Sequence, residues 1–149
     1  MADLSSEVKV STALDFLAAS AAVDRNGASL DMAGFEGVMM VVKFADIAAG
    51  AATTIKAQQS DDNGVADDWS DLAGTGIAVA ADDDNQVFII DLVKPTKRWV
   101  RVVVDKDAAN ATNECALYLQ YGPRNLPVAQ TVANEVTYER HVSPDEGAA

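Results

Sequence analysis

Apolar and polar residues alternate over much of this 149-residue chain, as expected for β-strands that bury one face. The longest apolar run covers Gly37–Ile47, and apolar residues occupy both of its alternating series. A strand that is apolar on both faces is typical of the centre of a sheet. The same kind of pattern predicts further strands at residues 28–32, 53–59, 86–92, 97–105 and 114–121.

The alternation also indicates the faces of these strands. Ile55 and Ala57 are predicted to face the core, and so is the valine series Val100, Val102 and Val104. The last strand has one apolar series, which consists of Cys115, Leu117, Leu119 and Tyr121. A thiol in such a series is usually a small core residue rather than a nucleophile, so we expect Cys115 to be buried.

Turn residues separate the apolar runs and define the predicted domain. Lys94, Pro95 and Thr96 predict a tight hairpin-like turn between two strands. About six to eight short strands in one chain of this size predict a mainly β fold, an antiparallel β-sandwich or jelly roll with extended terminal segments. We expect the sandwich at residues 28–122 and an extended C-terminal tail at 123–149. Residues 1–27 suit an N-terminal arm, a first strand or a short helix.

The charge of the chain limits its partners. It carries 23 acidic and 11 basic residues, a net charge of -12, and no apolar run long enough to span a membrane. This charge repels phosphates and anionic head groups, so we expect neither direct nucleic-acid binding nor membrane binding. Acidic residues concentrate in 60–84 and basic residues in 94–106, which predicts either a charge-separated docking surface or solvated loops. Trp69 and Leu72 are expected to attach the acidic stretch to the core.

Catalytic chemistry is not indicated by the residues available. His141 is the single histidine and lies in the predicted tail, and Cys115 is the single cysteine. A Cys/His zinc site cannot be assembled from them within one chain, and a catalytic triad would require the tail histidine. We therefore expect a protein that is not an enzyme and has no cofactor and no metal. Asp-rich turns at 61–64 and 82–85 leave calcium binding open as an alternative to solvated turns.

Four segments occur in an order that points to a family. They are DMAGFEGV at 31–38, QQSDD at 58–62, KRWVRV at 97–102 and YGPRNLPV at 121–128. Together they resemble the small capsid decoration, or cement, proteins of tailed bacteriophages. The resemblance implies a structural protein, made in the bacterial host cytoplasm, that lies on the outer surface of the virion as a homodimer or homotrimer. It also implies binding to the major capsid protein and stabilisation of the contacts between capsid subunits.

Six residues are predicted to contact this partner: Arg98, Arg101, Arg124, Leu126, Pro127 and Val128. The basic strand can meet acidic loops of a partner, and the tail can lie along a neighbouring subunit. Two alternatives stay open, another phage head or tail adaptor and a carbohydrate-binding sandwich module, because a fold does not determine a function. Exposed faces of Trp69 and Trp99 would favour the carbohydrate-binding module.

Overall fold

The computed structural model describes residues 3–21, 23–50, 52–106, 111–130, 135–143 and 146–147. These residues form one short helix and ten strands. The elements are α1 (Leu4–Glu7), β1 (Lys9–Ala21), β2 (Arg25–Asn26), β3 (Leu30–Asp31), β4 (Gly37–Ile47), β5 (Thr53–Ser60), β6 (Ser70–Asp71), β7 (Ile77–Val79), β8 (Val87–Val93), β9 (Trp99–Lys106) and β10 (Ala111–Tyr121). Among these residues, no helix is long and apolar enough to cross a bilayer.

Two antiparallel sheets face each other. The first sheet has the strand order β1-β10-β4-β8, and the second has the order β2-β9-β5-β6, with β3 also paired to β9 and β7 to β5. The predicted mainly β, antiparallel sandwich is therefore confirmed. Strand β4 lies between β10 and β8, which agrees with its apolar character on both faces.

The core is filled from both sheets as the alternation predicts for three strands. Strand β4 contributes Val38, Met40, Val42 and Phe44, and all four are fully buried. Across from them lie Ile55 and Ala57 of β5 and the valine series Val100, Val102 and Val104 of β9, also fully buried. Phe44 meets Phe88 of β8 edge to face, with 5.5 Å between the ring centroids.

Strand β10 has the opposite orientation to the predicted one. Its buried residues are Glu114, Ala116, Tyr118 and Gln120, whereas Leu117 is 43% exposed and Cys115 is half-buried on the outer face. The prediction that Cys115 is a core residue was therefore wrong. The more polar series can face inward because each of its long polar side chains reaches a partner in the second sheet, and buried polar groups need such partners.

Tyr118 makes the central contact of this kind. Its hydroxyl accepts a hydrogen bond from Val102 N–H at 3.0 Å and donates one to Ala28 C=O at 2.9 Å. Burial raises the pKa of Tyr118 far above its usual range, so the phenol keeps its proton. The hydroxyl occupies the gap between β2 and β3 along β9, and a Cβ on Gly27 would lie 2.7 Å from it. Position 27 therefore requires glycine.

Glu114 and Gln120 extend the same row of cross-sheet contacts. The Glu114 carboxylate lies 2.7 Å from Lys106 Nζ and 3.1 Å from Arg25 NH1, and the Glu114 and Lys106 side chains are completely buried. The Gln120 amide donates to Asp31 C=O at 2.9 Å. The inward face of β10 thus contacts β2, β3 and β9 along its length.

The connection from β8 to β9 also differs from the prediction. Residues 94–96 do turn the chain, but β8 pairs with β4 in the first sheet and β9 pairs with β5 in the second. The connection is therefore an arch between the sheets and not a hairpin. A hairpin would keep both strands in one sheet, whereas here the Lys94 N–H donates to Glu36 C=O at 2.7 Å and directs the chain across the sandwich.

The ends of the chain take part in the fold. Residues 1–27, for which the sequence left an arm, a strand or a helix open, contain α1, β1 and β2. Strand β1 pairs with β10 and is interrupted by register shifts. Residues 123–130 follow β10 without joining either sheet.

We expect replacement of the Tyr118 hydroxyl to weaken the sandwich. Tyr118→Phe leaves the buried Val102 N–H without an acceptor, so the free energy of unfolding should fall by about 1–3 kcal/mol. Tyr138→Phe is the matched control, because that hydroxyl bonds Ser5 Oγ at the surface; it should change stability by less than about 0.5 kcal/mol. Urea denaturation of both variants measures the difference. Equal stabilities would contradict the cross-sheet role of Tyr118.

Candidate partner-binding groove

A groove of about 500 Å³ lies at the end of the sandwich where β4 begins. Its walls are the β3–β4 turn at residues 32–36, the β8–β9 arch at 94–98, and Arg124 from the segment after β10. Main-chain hydrogen bonds join these walls. Lys94 N–H donates to Glu36 C=O at 2.7 Å, and Arg124 N–H donates to Gly34 C=O at 2.8 Å. The three segments are therefore held together by the backbone, independently of any charged side chain.

Unusual backbone angles position these walls. Lys94 has a φ of 50°, a left-handed conformation that is uncommon for a residue with a side chain and is maintained by surrounding contacts. Gly122 has a φ of 61°, and a Cβ at this position would lie 2.8 Å from Glu36 Cβ. Glycine is therefore required at position 122 both by conformation and by the close approach of the β3–β4 turn.

Three basic side chains without partners gather around this turn. Within the described part of the chain, most basic side chains make an ion pair, a hydrogen bond or a ring contact, whereas Lys9, Lys94 and Arg124 make none of these. Lys94 and Arg124 line the groove, and Lys9 lines an adjoining depression that shares Gly34 and Phe35 with it. In a chain with a net charge of -12, this is a local concentration of unpaired positive charge.

Arg98 and Lys97 lie on the groove as well, but both are already paired. Arg98 holds Asp31 through two hydrogen bonds, from Nε to Oδ1 at 2.9 Å and from NH2 to Oδ2 at 2.6 Å. The bonds from Arg98 lower the pKa of Asp31, so the pair stays charged at neutral pH. Lys97 Nζ lies 2.5 Å from Asp67 Oδ2 and 3.5 Å from Asp61 Oδ2. These two residues shape the rim, Lys94 and Arg124 supply its free positive charge, and Glu36 adds one carboxylate to the lining.

Of the six predicted contact residues, Arg101 lies elsewhere. Its guanidinium lies over the Trp69 ring, 4.4 Å from the centroid, and its Nε donates to Gln58 Oε1 at 2.8 Å. Burial lowers the pKa of Arg101 from its usual value. Trp69 is thus attached to β9 by this contact rather than to the core, while Leu72 packs against the core as predicted. Through this contact, Arg101 holds the acidic loop at residues 61–71 against the second sheet.

Leu126, Pro127 and Val128 lie next to the groove. Pro127 and Val128 line the adjoining depression of about 240 Å³, together with Lys9 and Phe35. Leu126 is 61% exposed and precedes a cis peptide bond to Pro127. The structure therefore brings Arg98, Arg124, Pro127 and Val128 to one end of the molecule. Lys9 and Lys94 were not among the predicted contact residues, although Lys94 belongs to the basic stretch at 94–106.

The acidic loops serve the fold. The Asp62 carboxylate accepts hydrogen bonds from the N–H groups of Val65, Ala66 and Asp67 at 3.0, 2.8 and 3.1 Å. The 61–71 loop also lies against Lys97 and Arg101, so the predicted separation from the basic stretch was wrong for this loop. At the other end of β4, Asp84 Oδ1 accepts from Ile47 N–H at 2.8 Å. Across the described ranges, no three His, Cys, Asp or Glu side chains are grouped as metal ligands.

Side chains of the C-terminal segment, residues 123–130 and 135–143, cover the open edge of β1. The Gln130 carbonyl oxygen accepts from Val10 N–H at 3.2 Å, and its amide nitrogen donates to Ser5 C=O at 2.7 Å and to Val8 C=O. Glu135 Oε1 accepts from Thr12 N–H at 2.6 Å. An uncovered edge strand would expose these backbone groups to other chains. The segment thus acts on its own domain by satisfying the edge of the first sheet.

Comparisons with known proteins bear on the fold. The sequence matches no protein-family model and no curated protein. Among solved structures, the PBSX exported protein XepA is similar with a TM-score of 0.56 and 19% identity, over 95% of this chain and 46% of XepA. A subunit of the disulfide-linked pili formed by Bacillus endospore appendages is similar with a TM-score of 0.44 and 16% identity, over 81% of this chain and 95% of that one. This chain therefore spans less than half of XepA and shares its fold, and the likeness to decoration proteins stays a prediction.

Hydrogen exchange tests the cover on β1. We expect Gln130→Ala to accelerate exchange of the Val10 amide and leave the Thr12 amide protected, because Glu135 still accepts from Thr12. Glu135→Ala should do the reverse, so each variant is the control of the other. Native-state exchange followed by NMR measures both amides. Unchanged exchange at Val10 and Thr12 in both variants would show that these side chains do not protect the edge.

Proposed function

We propose that this protein is a non-enzymatic phage structural component, a decoration protein that binds the outside of the capsid and stabilises contacts between major capsid subunits. XepA, which shares the fold, is an exported protein of the phage PBSX, and this supports a phage-related role in general terms. The four segments that resemble decoration proteins support the more specific role. Three of them contribute to the groove: the segment at 31–38 through residues 32–36, the segment at 97–102 through Arg98, and the segment at 121–128 through Arg124.

The observation that carries the proposal is the cluster of unpaired cations at the groove. Lys9, Lys94 and Arg124 lie around a rigid turn of a strongly acidic chain whose other described basic side chains have partners. Such a surface suits an acidic segment of a partner, because complementary charge directs docking and fixes orientation. Phe35, Pro127 and the exposed Leu126 add apolar contacts beside the charges. The partner surface is therefore expected to carry carboxylates next to apolar residues.

A capsid suits a surface of this modest size. Exposed ion pairs contribute at most about 1 kcal/mol each, so a single groove binds weakly. A lattice presents the same site many times, and an oligomeric binder that engages several sites gains affinity through effective concentration. Weak single contacts thus combine into stable decoration.

The carbohydrate-binding alternative has less support. Sugar-binding sandwiches require an open aromatic face, whereas the Trp69 ring lies under Arg101 and the Trp99 ring lies 5.5 Å from the Arg98 guanidinium. Both tryptophans are half-buried. A head or tail adaptor would use the same groove on a different phage partner, and the binding experiment below distinguishes it from decoration.

The test is co-sedimentation with assembled heads of the phage that encodes this protein. We expect wild-type protein to saturate the heads, and Lys94→Glu and Arg124→Glu each to weaken binding by about fivefold or more, equivalent to ~1 kcal/mol. Lys56→Glu makes the same change in charge on the second sheet, away from the groove, where Lys56 pairs with Asp71 and Asp105. It should bind within about twofold of wild type.

The outcomes separate the possibilities. Binding that resists high salt, or that the groove variants do not weaken, would contradict an ionic groove. Equal weakening by all three variants would assign the effect to net charge alone. Absence of head binding combined with binding to tail or connector proteins would replace decoration with the adaptor role.

A further inference from the structure

The outer face of the first sheet is an apolar surface. Strand β8 exposes Val87, Ile89 and Val93 at 51, 49 and 60%, and β10 exposes Leu117 at 43%. Met39 and Val41 of β4 lie between them on the same face, half-buried. A contiguous exposed apolar patch on a folded domain usually marks an interaction site.

The C-terminal segment covers one side of this face and leaves the other open. Val10 of β1 and its partner Leu119 of β10 line a cavity together with Val136 and Tyr138 of the C-terminal segment. The part formed by β4 and β8 has no such cover among the described residues. Strand β8 is also the edge of the sheet, so the open apolar surface extends to the sheet boundary.

Two charged residues lie on the open part, and they have opposite signs. Val41 of β4 is paired with Ile89 of β8, and this pair forms a central row. Lys43, paired with Val87, lies on one side of the row, and Asp91, paired with Met39, lies on the other. The open part therefore has no net charge, in contrast to the net charge of -12 on the whole chain.

We propose that two copies of this protein associate through this face, related by a two-fold axis that crosses the strands at the Val41–Ile89 row. Such an axis places the Lys43 side of one copy over the Asp91 side of the other. Sheets that pack face to face are separated by about 10 Å, a distance that a lysine and an aspartate side chain can bridge between neighbouring strands. Two symmetric Lys43–Asp91 contacts then flank an apolar centre, which is an isologous interface.

The distribution of charge favours a second copy of this chain as the partner that covers this face. Two chains of -12 repel each other over most of their surfaces, and this face allows them to meet without bringing like charges together. The charges also complement each other under the two-fold axis, which a surface for an unrelated partner would not require. Both are oriented by neighbours, because Tyr121 donates to Asp91 Oδ1 at 2.7 Å and Lys43 Nζ donates to Asn85 C=O.

This interface is independent of the proposed capsid binding. It lies on the outer face of the first sheet, whereas the groove is formed by the turns and the arch at one end of the sandwich. A dimer in solution can therefore be established without any capsid, and failure of head binding would not affect it.

Light scattering across a concentration series tests the interface. We expect wild-type protein to reach twice the 15.6 kDa mass of the chain. Ile89→Asp should weaken dimerisation by more than about tenfold, because it places a charge in the apolar centre. Val65→Asp is the matched control, since Val65 is an equally apolar residue that is 83% exposed on the acidic loop. It should dimerise as wild type does.

A charge exchange tests the register. Lys43→Asp and Asp91→Lys should each weaken the dimer, because each brings like charges together across the axis. The double variant K43D/D91K restores opposite charges and should dimerise more strongly than either single variant. Circular dichroism verifies that each variant is folded. If Asp91→Lys does not fold, the two single variants Lys43→Asp and Ile89→Asp still test the interface. Wild-type protein at the mass of one chain, an Ile89→Asp variant equal to wild type, or no recovery in a folded double variant would overturn the proposal.

Discussion

The hydrogen bonds of the Tyr118 hydroxyl across the core are the contact on which the sandwich depends. The second sheet has a gap between β2 and β3, where Val102 N–H would otherwise be buried without an acceptor. A phenol from the opposite sheet fills this gap, and Glu114 and Gln120 on the same face of β10 bind the neighbouring segments. Because buried polar groups are costly unless they are paired, these contacts determine both the spacing of the sheets and the orientation of β10.

The orientation of β10 determines what the molecule presents to the outside. Because the polar series of β10 is directed inward, the apolar series of β10 joins Met39, Val41 and Ile89 on the outer face of the first sheet. One side of that face is covered by the C-terminal segment, and the other is left open. The basic groove depends on different contacts, since main-chain hydrogen bonds from Lys94 and Arg124 to the β3–β4 turn bring the walls together. The fold thus separates an apolar, neutral surface from a basic one, and each suits a different kind of partner.

The sequence was sufficient to predict the parts of the fold that depend on local alternation of apolar and polar residues. Strand β4 begins and ends at the predicted residues, and the buried series of β5 and β9 are correct, because apolar residues at alternate positions have no other way to leave water. The face of β10 could not be predicted, since the partners of Tyr118 and Glu114 come from distant β2 and β9. The composition of residues 94–96 indicates a turn but not whether the chain stays in the same sheet. For the groove, Arg98 and Arg124 were predicted individually, but their proximity and the free charge of Lys9 follow only from the tertiary structure.

The most direct measurement of this account compares two neighbouring substitutions on β10, Ala116→Glu and Leu117→Glu, by circular dichroism and urea denaturation. Ala116 is 1% exposed on the inward face, and Leu117 is 43% exposed on the outer face. We expect Ala116→Glu to unfold the domain or destabilise it strongly, because it buries an unpaired carboxylate in the core. Leu117→Glu should retain the fold with little loss of stability. The reverse result, an unfolded Leu117→Glu and a stable Ala116→Glu, would contradict the inward orientation of the polar series and, with it, the apolar outer face.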